Sequence, residues 1–390
     1  MKWTLQNQNT IIQEEIPYSA KSNQEWSKES LKMKKSPSIK SERITKNLKY
    51  DRKLQDYPPS HNLKVFWTFV GGGGSTMGYK LAGFQHLWGV EIDPKMAKIY
   101  QTNHNPEYFY LEDIRDFNLR TDLPEELYHL DILDGSPPCS AFSMSWKREE
   151  CRGKQKMFKE GQKKQVLDEL VLVFCDTVEK LKPKVVIMEN VPWLIAGRAK
   201  KYAIEVFERL ENIGYQVQIF RLNSATMGVP QARERIFFIA RRRDLELPDL
   251  QLDFNESPVY FGDIADKNST THPHLRPSIV KRRPYVEYGD QNIKFADAKY
   301  RNINTFNAFF STYILYDNIV APTLTSSGAN VYYNEVRNLN DTEYIRISSF
   351  PTDFDFCNTS VRFVCGMSVP PLMTASIAEE IRKQWFSNKI

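Results

Sequence analysis

The chain has 390 residues, of which 41% are hydrophobic and 26% charged, enough for a packed core in one large domain with a smaller companion. No window approaches the roughly 18 consecutive apolar residues of a membrane span, and Met1–Ile12 lacks the apolar run of a secretory leader, so a cytoplasmic protein without a membrane partner is expected. Five cysteines with no CxxC pair argue against a disulfide framework and a structural zinc site; no metal is expected.

Residues 1–60 carry twelve Lys/Arg and seven Asp/Glu, so the whole formal net charge of +5 sits there. They are polar and weakly periodic, which reads as a basic, flexible or accessory extension. From Lys64 the texture changes. Val65–Val70 is a continuous apolar run that feeds Gly71-Gly72-Gly73-Gly74, followed by a helical segment over 77–82. A short strand at 87–92, a helix at 94–103 and a strand ending near Leu111 come next. Leu130–Asp134 is another buried strand, leading into Gly135-Ser136-Pro137-Pro138-Cys139. A helix is predicted from about Lys164 to Leu181. The strand Val185–Met188 then runs into Glu189-Asn190-Val191, and a helix at 199–212 and strands at 215–222 and 235–240 complete the series. Strands alternating with helices imply an α/β fold with a parallel, doubly wound sheet, in which ligands sit at the carboxyl ends of the strands. After Asp244 the alternation stops, and the segment Pro371–Trp385 has helical spacing that suits packing back on the sheet. The expected division is a main domain of 61–244 plus 355–390, with 245–354 as a smaller region and return segment.

The glycine run is a nucleotide-type loop, but it matches neither GxGxxG nor the Walker A pattern. Glu91, about 20 residues on, can accept hydrogen bonds from ribose hydroxyls, and Asp113 can receive an adenine amino group. The pattern by itself leaves two readings open: an adenosine-containing cofactor, or a tight turn flanked by surface acids.

Pro137-Pro138 fixes the backbone ahead of Cys139, and a cysteine in a loop near cationic side chains can have the lowered pKa that a nucleophile needs. Cys175, among apolar helix positions, reads as core. Asn190 is a good helix N-cap, while Glu189 beside a thiol suggests acid or hydrogen-bond work. Arg233 and Arg235 stand on one face of a short extended piece. Two stretches are locally basic: Lys147–Lys164 holds eight basic and three acidic residues, and Arg276–Arg301 seven and three. Such stretches suit a protein that grips phosphate at chosen places, or are solvated surface.

Taken in order, Phe69–Gly74, Pro137-Pro138-Cys139, Glu189-Asn190-Val191, Gln231-x-Arg233-x-Arg235, Arg337 through Ser349-Phe350-Pro351-Thr352-Asp353-Phe354, and Gly366-x-Ser368-Val369 resemble the cytosine carbon-5 DNA methyltransferases. Each motif alone is weak; the ordered set is specific, and the likeness covers about 64–243 and 320–386. Ser140 replaces the Gln of the usual PCQ, and Met367 the Asn of the usual GNSV.

The resemblance implies a Rossmann-like sheet, S-adenosylmethionine as cofactor and duplex DNA as partner, with a monomeric enzyme and a restriction endonuclease acting on the same site as companions in expectation. Cys139 would be the nucleophile, Glu189 would hold the base edge, Arg235 its carbonyl, and Arg233 the DNA backbone nearby. Phe69, Gly71, Gly73, Gly74, Glu91, Ile92, Asp113, Ile114, Pro138, Ser368 and Val369 would line the cofactor. Ser140, Ser143, Lys147 and Arg148 would contact DNA from the mobile loop, together with Gln231, Lys281, Arg282 and Arg283; 245–320 falls where the family carries target recognition. The same core serves an RNA-methylating branch, and a catalytically inactive DNA-binding homologue is a further alternative. Amino-methylating enzymes need an Asp/Asn-Pro-Pro-aromatic loop, which is missing.

Overall fold

The computed structural model describes residues 5–7, 10–12, 50–138, 169–196, 199–267, 269, 273–302, 308–309 and 311–387. Its centre is a nine-stranded sheet. In chain order the strands are β1 (Leu5–Asn7), β2 (Thr10–Ile12), β3 (His61–Thr68), β4 (Phe84–Glu91), β5 (Phe109–Leu111), β6 (Ile132–Gly135), β7 (Val185–Asn190), β8 (Tyr215–Asn223), β9 (Gln231–Ala232, outside the main sheet) and β10 (Glu234–Arg242). The spatial order is β2-β1-β8-β10-β7-β6-β3-β4-β5. Helices α1 (Gly74–Leu81), α2 (Pro94–His104), α3 (Ile114–Leu119), α4 (Leu170–Leu181) and α5 (Lys200–Asn212) fill the connections.

The period-2 alternation of a strand sorts side chains onto the two faces. Phe66, Leu133, Val186, Met188 and Phe238 pack with α4 and α5 on one face. Val65, Trp67, Ile132, Val185, Ile187, Phe237 and Ile239 pack on the other, against the C-terminal helix α10 (Pro371–Ile381, introduced below). From β3 the chain runs outward through β4 to β5, then returns to β6 and continues to β7 on the opposite side. The β3/β6 boundary is therefore the switch point where the crevice of an open sheet forms. The glycine loop leaves β3 there, and the loop towards Cys139 leaves β6.

The sheet is parallel from β7 through β6, β3 and β4 to β5, but β10 is antiparallel to both β7 and β8, and β1 to β2. The chain passes from β8 to β10 without a crossover helix, and a connection that short can only join antiparallel strands. Of the N-terminal extension, the described β1 lies between β2 and β8 in the sheet, and Tyr50 is buried, its hydroxyl donating to the Gly228 carbonyl.

Beyond β10 the chain stays on the large sheet through Leu250 and Leu252, later than the expected boundary at 244. The smaller region holds α6 (Pro277–Val280), α7 (Ile293–Arg301), β11 (Tyr313–Leu315), β12 (Ala321–Pro322), β13 (Asn330–Tyr332) and β14 (Arg337–Asn338), followed by α8 (Asp341–Ile347), α9 (Val361–Met367) and α10. Arg337 makes a bidentate pair with fully buried Glu343, 2.7 and 2.8 Å. Phe350, Phe354 and Phe356 cluster with Met77, Met96 and Ile99 of α1 and α2, so the return segment shares a core with those two helices. The stretch Val361–Phe386 is long and apolar enough to cross a membrane, but Val364, Met373, Ile377 and Ile381 are buried in the protein. Gly78 is where α10 crosses α1: a Cβ there would lie 2.5 Å from the Pro371 carbonyl.

Candidate active site

Backbone geometry marks the loop after β3 as special. Phe69, Gly71 and Gly73 all have positive φ, at 60°, 52° and 81°, the left-handed region that is costly for a residue bearing a Cβ. Phe69 is held there by its side chain, which packs with Ile114 and Leu170. The two glycines do different jobs. A Cβ on Gly73 would meet the His104 ring at 2.6 Å, whereas one on Gly71 would meet nothing within 4 Å. Gly73 is thus a packing glycine, and Gly71 presents bare backbone to open space.

Glu91, at the end of β4, fixes this loop. Its carboxylate accepts from the amides of Gly71 (2.8 Å), Ile92 and Asp93 (both 2.9 Å). Burial pushes its pKa up, and the backbone bonds oppose that. A carboxylate has about four acceptor positions, so three amides leave Glu91 capacity for a further donor. Asp113 caps α3 through the Arg115 amide and pairs with that guanidinium at 3.1 Å; Ile114 is buried behind it. On the other wall, a Cβ on Gly74 would lie 2.6 Å from Ser368 and 2.8 Å from the Val369 carbonyl, so these two residues close against the loop. Met367 points outward, 51% exposed.

The second half of the site is built by β6, β7 and β10. Asn190 donates to the Pro137 carbonyl at 3.2 Å, tying the end of β7 to the loop that carries Pro138. Cys139, Ser140, Ser143, Lys147 and Arg148 lie outside the described residues. Glu189 pairs with Arg235, Oε1 to Nε 2.8 Å, both side chains nearly buried. The register explains the pair: Phe237 lies opposite Glu189, so Arg235, two residues away on the same face, reaches it diagonally.

Three expected DNA contacts are corrected. Arg233 is buried and donates to the carbonyls of Leu324 (3.1 Å) and Gly366 (3.2 Å); burial, then the neighbouring Arg235, depress its pKa. Gln231 is fully buried and accepts from the Leu324 amide. Both tie the return segment to the sheet, where β9 also pairs with β12. Arg282 pairs with buried Asp297 at 2.6 Å and lies over Phe309 and Tyr300. Lys281 and Arg283 on either side are exposed.

One group went unnoticed in the sequence. Asp134, fully buried in β6, accepts from the Tyr79 hydroxyl at 2.9 Å. Burial, reinforced by the Glu189 charge, raises its pKa to about 8 despite that hydrogen bond. The only clue was a carboxyl inside an apolar strand.

A glycine loop and a Glu–Arg pair at the same end of one sheet occur in a known setting. The family model of C-5 cytosine-specific DNA methylases matches residues 63–383. The chain belongs to this family. It is therefore an S-adenosylmethionine-dependent DNA cytosine-5 methyltransferase. The Type II methyltransferase M1.HphI of Haemophilus parahaemolyticus is 28% identical over 333 residues, covering 81% of this chain and 85% of that protein. Among solved structures, a mutant of Spodoptera frugiperda DNMT2 superposes with TM-score 0.57 at 16% identity, over 84% of this chain and 100% of that one. The Entamoeba histolytica methyltransferase EhMeth gives 0.55 at 16%, over 83% and 99%. At these identities the two structures speak for the fold alone. The methylase's own residues fit the cofactor: open backbone at Gly71 and a remaining acceptor on Glu91 suit a polar nucleoside, with Ser368 and Val369 as the facing wall.

Proposed function

We propose that the methylase acts on a cytosine rotated out of duplex DNA and that Cys139 bonds to the base during the reaction. The observation that carries this is the Glu189–Arg235 pair, held at the sheet edge that is tethered through Asn190 to the loop preceding Cys139. Carbon 5 of cytosine is a poor nucleophile. Addition of the Cys139 thiolate to carbon 6 turns the ring into an enamine whose carbon 5 can attack an electrophilic methyl. S-adenosylmethionine, when bound, supplies that methyl on a sulfonium. Glu189 holds N3 and the amino group and favours protonation as the adduct forms. Arg235 stabilises charge developing at the O2 carbonyl. Loss of the carbon-5 proton and expulsion of the Cys139 thiolate restore the aromatic ring. None of this can occur within the base stack, so the base leaves the duplex.

In this reading 245–320 selects the target sequence, Lys281 and Arg283 reach the DNA, and Ser140, Ser143, Lys147 and Arg148 act from the loop after Cys139. The methylase is a cytoplasmic monomer in this reading, and the Type II names of the relatives support a restriction endonuclease acting on the same site. Duplex DNA carrying 5-fluorocytosine at the target is expected to trap a denaturation-resistant adduct that Cys139→Ser abolishes. An adduct that survives Cys139→Ser overturns the assignment. Methyl transfer to tRNA in place of duplex DNA would shift the substrate to RNA.

A further inference from the structure

A hollow of about 740 Å³ opens where the α2 side of the large sheet meets the smaller region and α9. Four cations line it: Lys95 and Lys98 from α2, Arg276 just before α6, and Arg362 on α9. No carboxylate lines it among the described residues. The hydroxyl side chains of Ser326, Ser327 and Ser360 stand between the cations. Lys95, Lys98 and Arg276 are exposed, so their charge is available to a ligand. Like charges gathered in a concave surface repel one another and raise the local potential, and an anion relieves both.

We propose that this hollow holds backbone phosphates of the DNA substrate beyond the target base, a reading that rests on the duplex-DNA function above. Ammonium and guanidinium groups supply the charge, and the hydroxyls donate to phosphate oxygens. The position favours a strand already engaged at the active site. Ser326 lies two residues beyond Leu324, and Arg362 one helical turn before Gly366; these are the two residues whose carbonyls anchor Arg233. The hollow thus adjoins the stitched junction beside Arg235. Lys95 and Lys98 come from the large sheet's side and Arg276 from the smaller region, so a strand lying there bridges both.

The test is a salt titration of binding to a fluorescent duplex of mixed sequence, using the full chain. Each lost phosphate contact flattens the slope of log affinity against log salt by about 0.9, which near 0.15 M salt is about a fivefold loss of affinity. Lys95→Gln/Lys98→Gln is expected to flatten the slope by about 2, and Arg276→Gln by about 1. S-adenosylmethionine affinity, measured by calorimetry, stays at the wild-type value. The charge-matched control Lys201→Gln/Lys383→Gln, on α5 and beyond α10, is expected to leave the slope unchanged. Wild-type slopes in the hollow variants, an equal loss in the control, or a loss confined to S-adenosylmethionine affinity would each overturn the proposal. Methyl transfer by the wild type is measured separately, so a failure of the catalytic reading leaves this slope readout intact.

Discussion

Replacing Asp134 by Asn should stabilise the methylase, and by more as the pH rises. Asp134 is buried, its pKa raised to about 8, whereas in the unfolded chain an Asp titrates near 3.9. Between those values the unfolded chain has released a proton that the folded protein still holds. Folding then takes up a proton, and wild-type stability falls as the pH climbs, by about 1.4 kcal/mol per unit. The sign is opposite to that of a salt-bridged carboxylate. Asn is nearly the same shape as the neutral acid and can still accept from the Tyr79 hydroxyl, which lies 2.9 Å from Asp134, but it does not titrate. From pH 5 to pH 8 the variant's advantage over wild type should therefore grow by up to about 4 kcal/mol. Thermal or urea unfolding of both proteins at pH 5, 6, 7 and 8 reads this directly. A stability difference that stays constant across the series, or one that shifts in favour of wild type as the pH rises, would refute the neutral buried carboxyl. The same neutrality matters to the site, because an ionised Asp134 would set a second negative charge near Glu189.

Two further substitutions separate roles that sequence merges. Gly71→Ala should weaken S-adenosylmethionine binding while costing about 1 kcal/mol of stability for its positive φ, whereas Gly73→Ala should destabilise by more, since its Cβ would meet the His104 ring at 2.6 Å; calorimetric titration and thermal unfolding of both variants check the split. Arg233→Gln should cost about 1–3 kcal/mol, because one amide cannot reproduce the fork that reaches the carbonyls of Leu324 and Gly366, and should leave the salt slope of DNA binding unchanged; a slope flattened by about 1 would restore Arg233 as a phosphate contact.

The order of strands from β3 to β8, and of the helices between them apart from the short α3, was readable because buried strands and amphipathic helices write their burial into the local sequence. Strand direction is not written there, so β10 read as one more parallel strand. Partners distant in sequence were equally hidden. Arg233 and Gln231 are polar, and polarity suggested solvent or DNA, yet their acceptors and donors lie at Leu324 and Gly366. Asp134 finds its partner in Tyr79, two strands earlier in the chain. Arg282 could have been read differently from spacing alone. Apolar Ile279 stands three residues before it, and the turn that continues from α6, closed by the Arg282 amide on the Ile279 carbonyl, puts both inwards while Lys281 and Arg283 face out.

The start of β10 couples chemistry to closure. Arg235 spends its Nε on Glu189, and Arg233, two residues earlier, holds Leu324 and Gly366. Leu324 belongs to the return segment, and Gly366 begins the stretch whose Ser368 and Val369 face the glycine loop. One short length of backbone therefore fixes both the orientation of the Glu189 carboxylate and the position of the wall that faces the glycine loop. A shift in the smaller region that moved Leu324 would be felt at Arg233, then at Arg235 and Glu189, through buried hydrogen bonds that leave no room for independent adjustment. If 245–320 selects the target as proposed, a displacement of that region carried on to Leu324 would reach the Glu189–Arg235 pair along this same backbone.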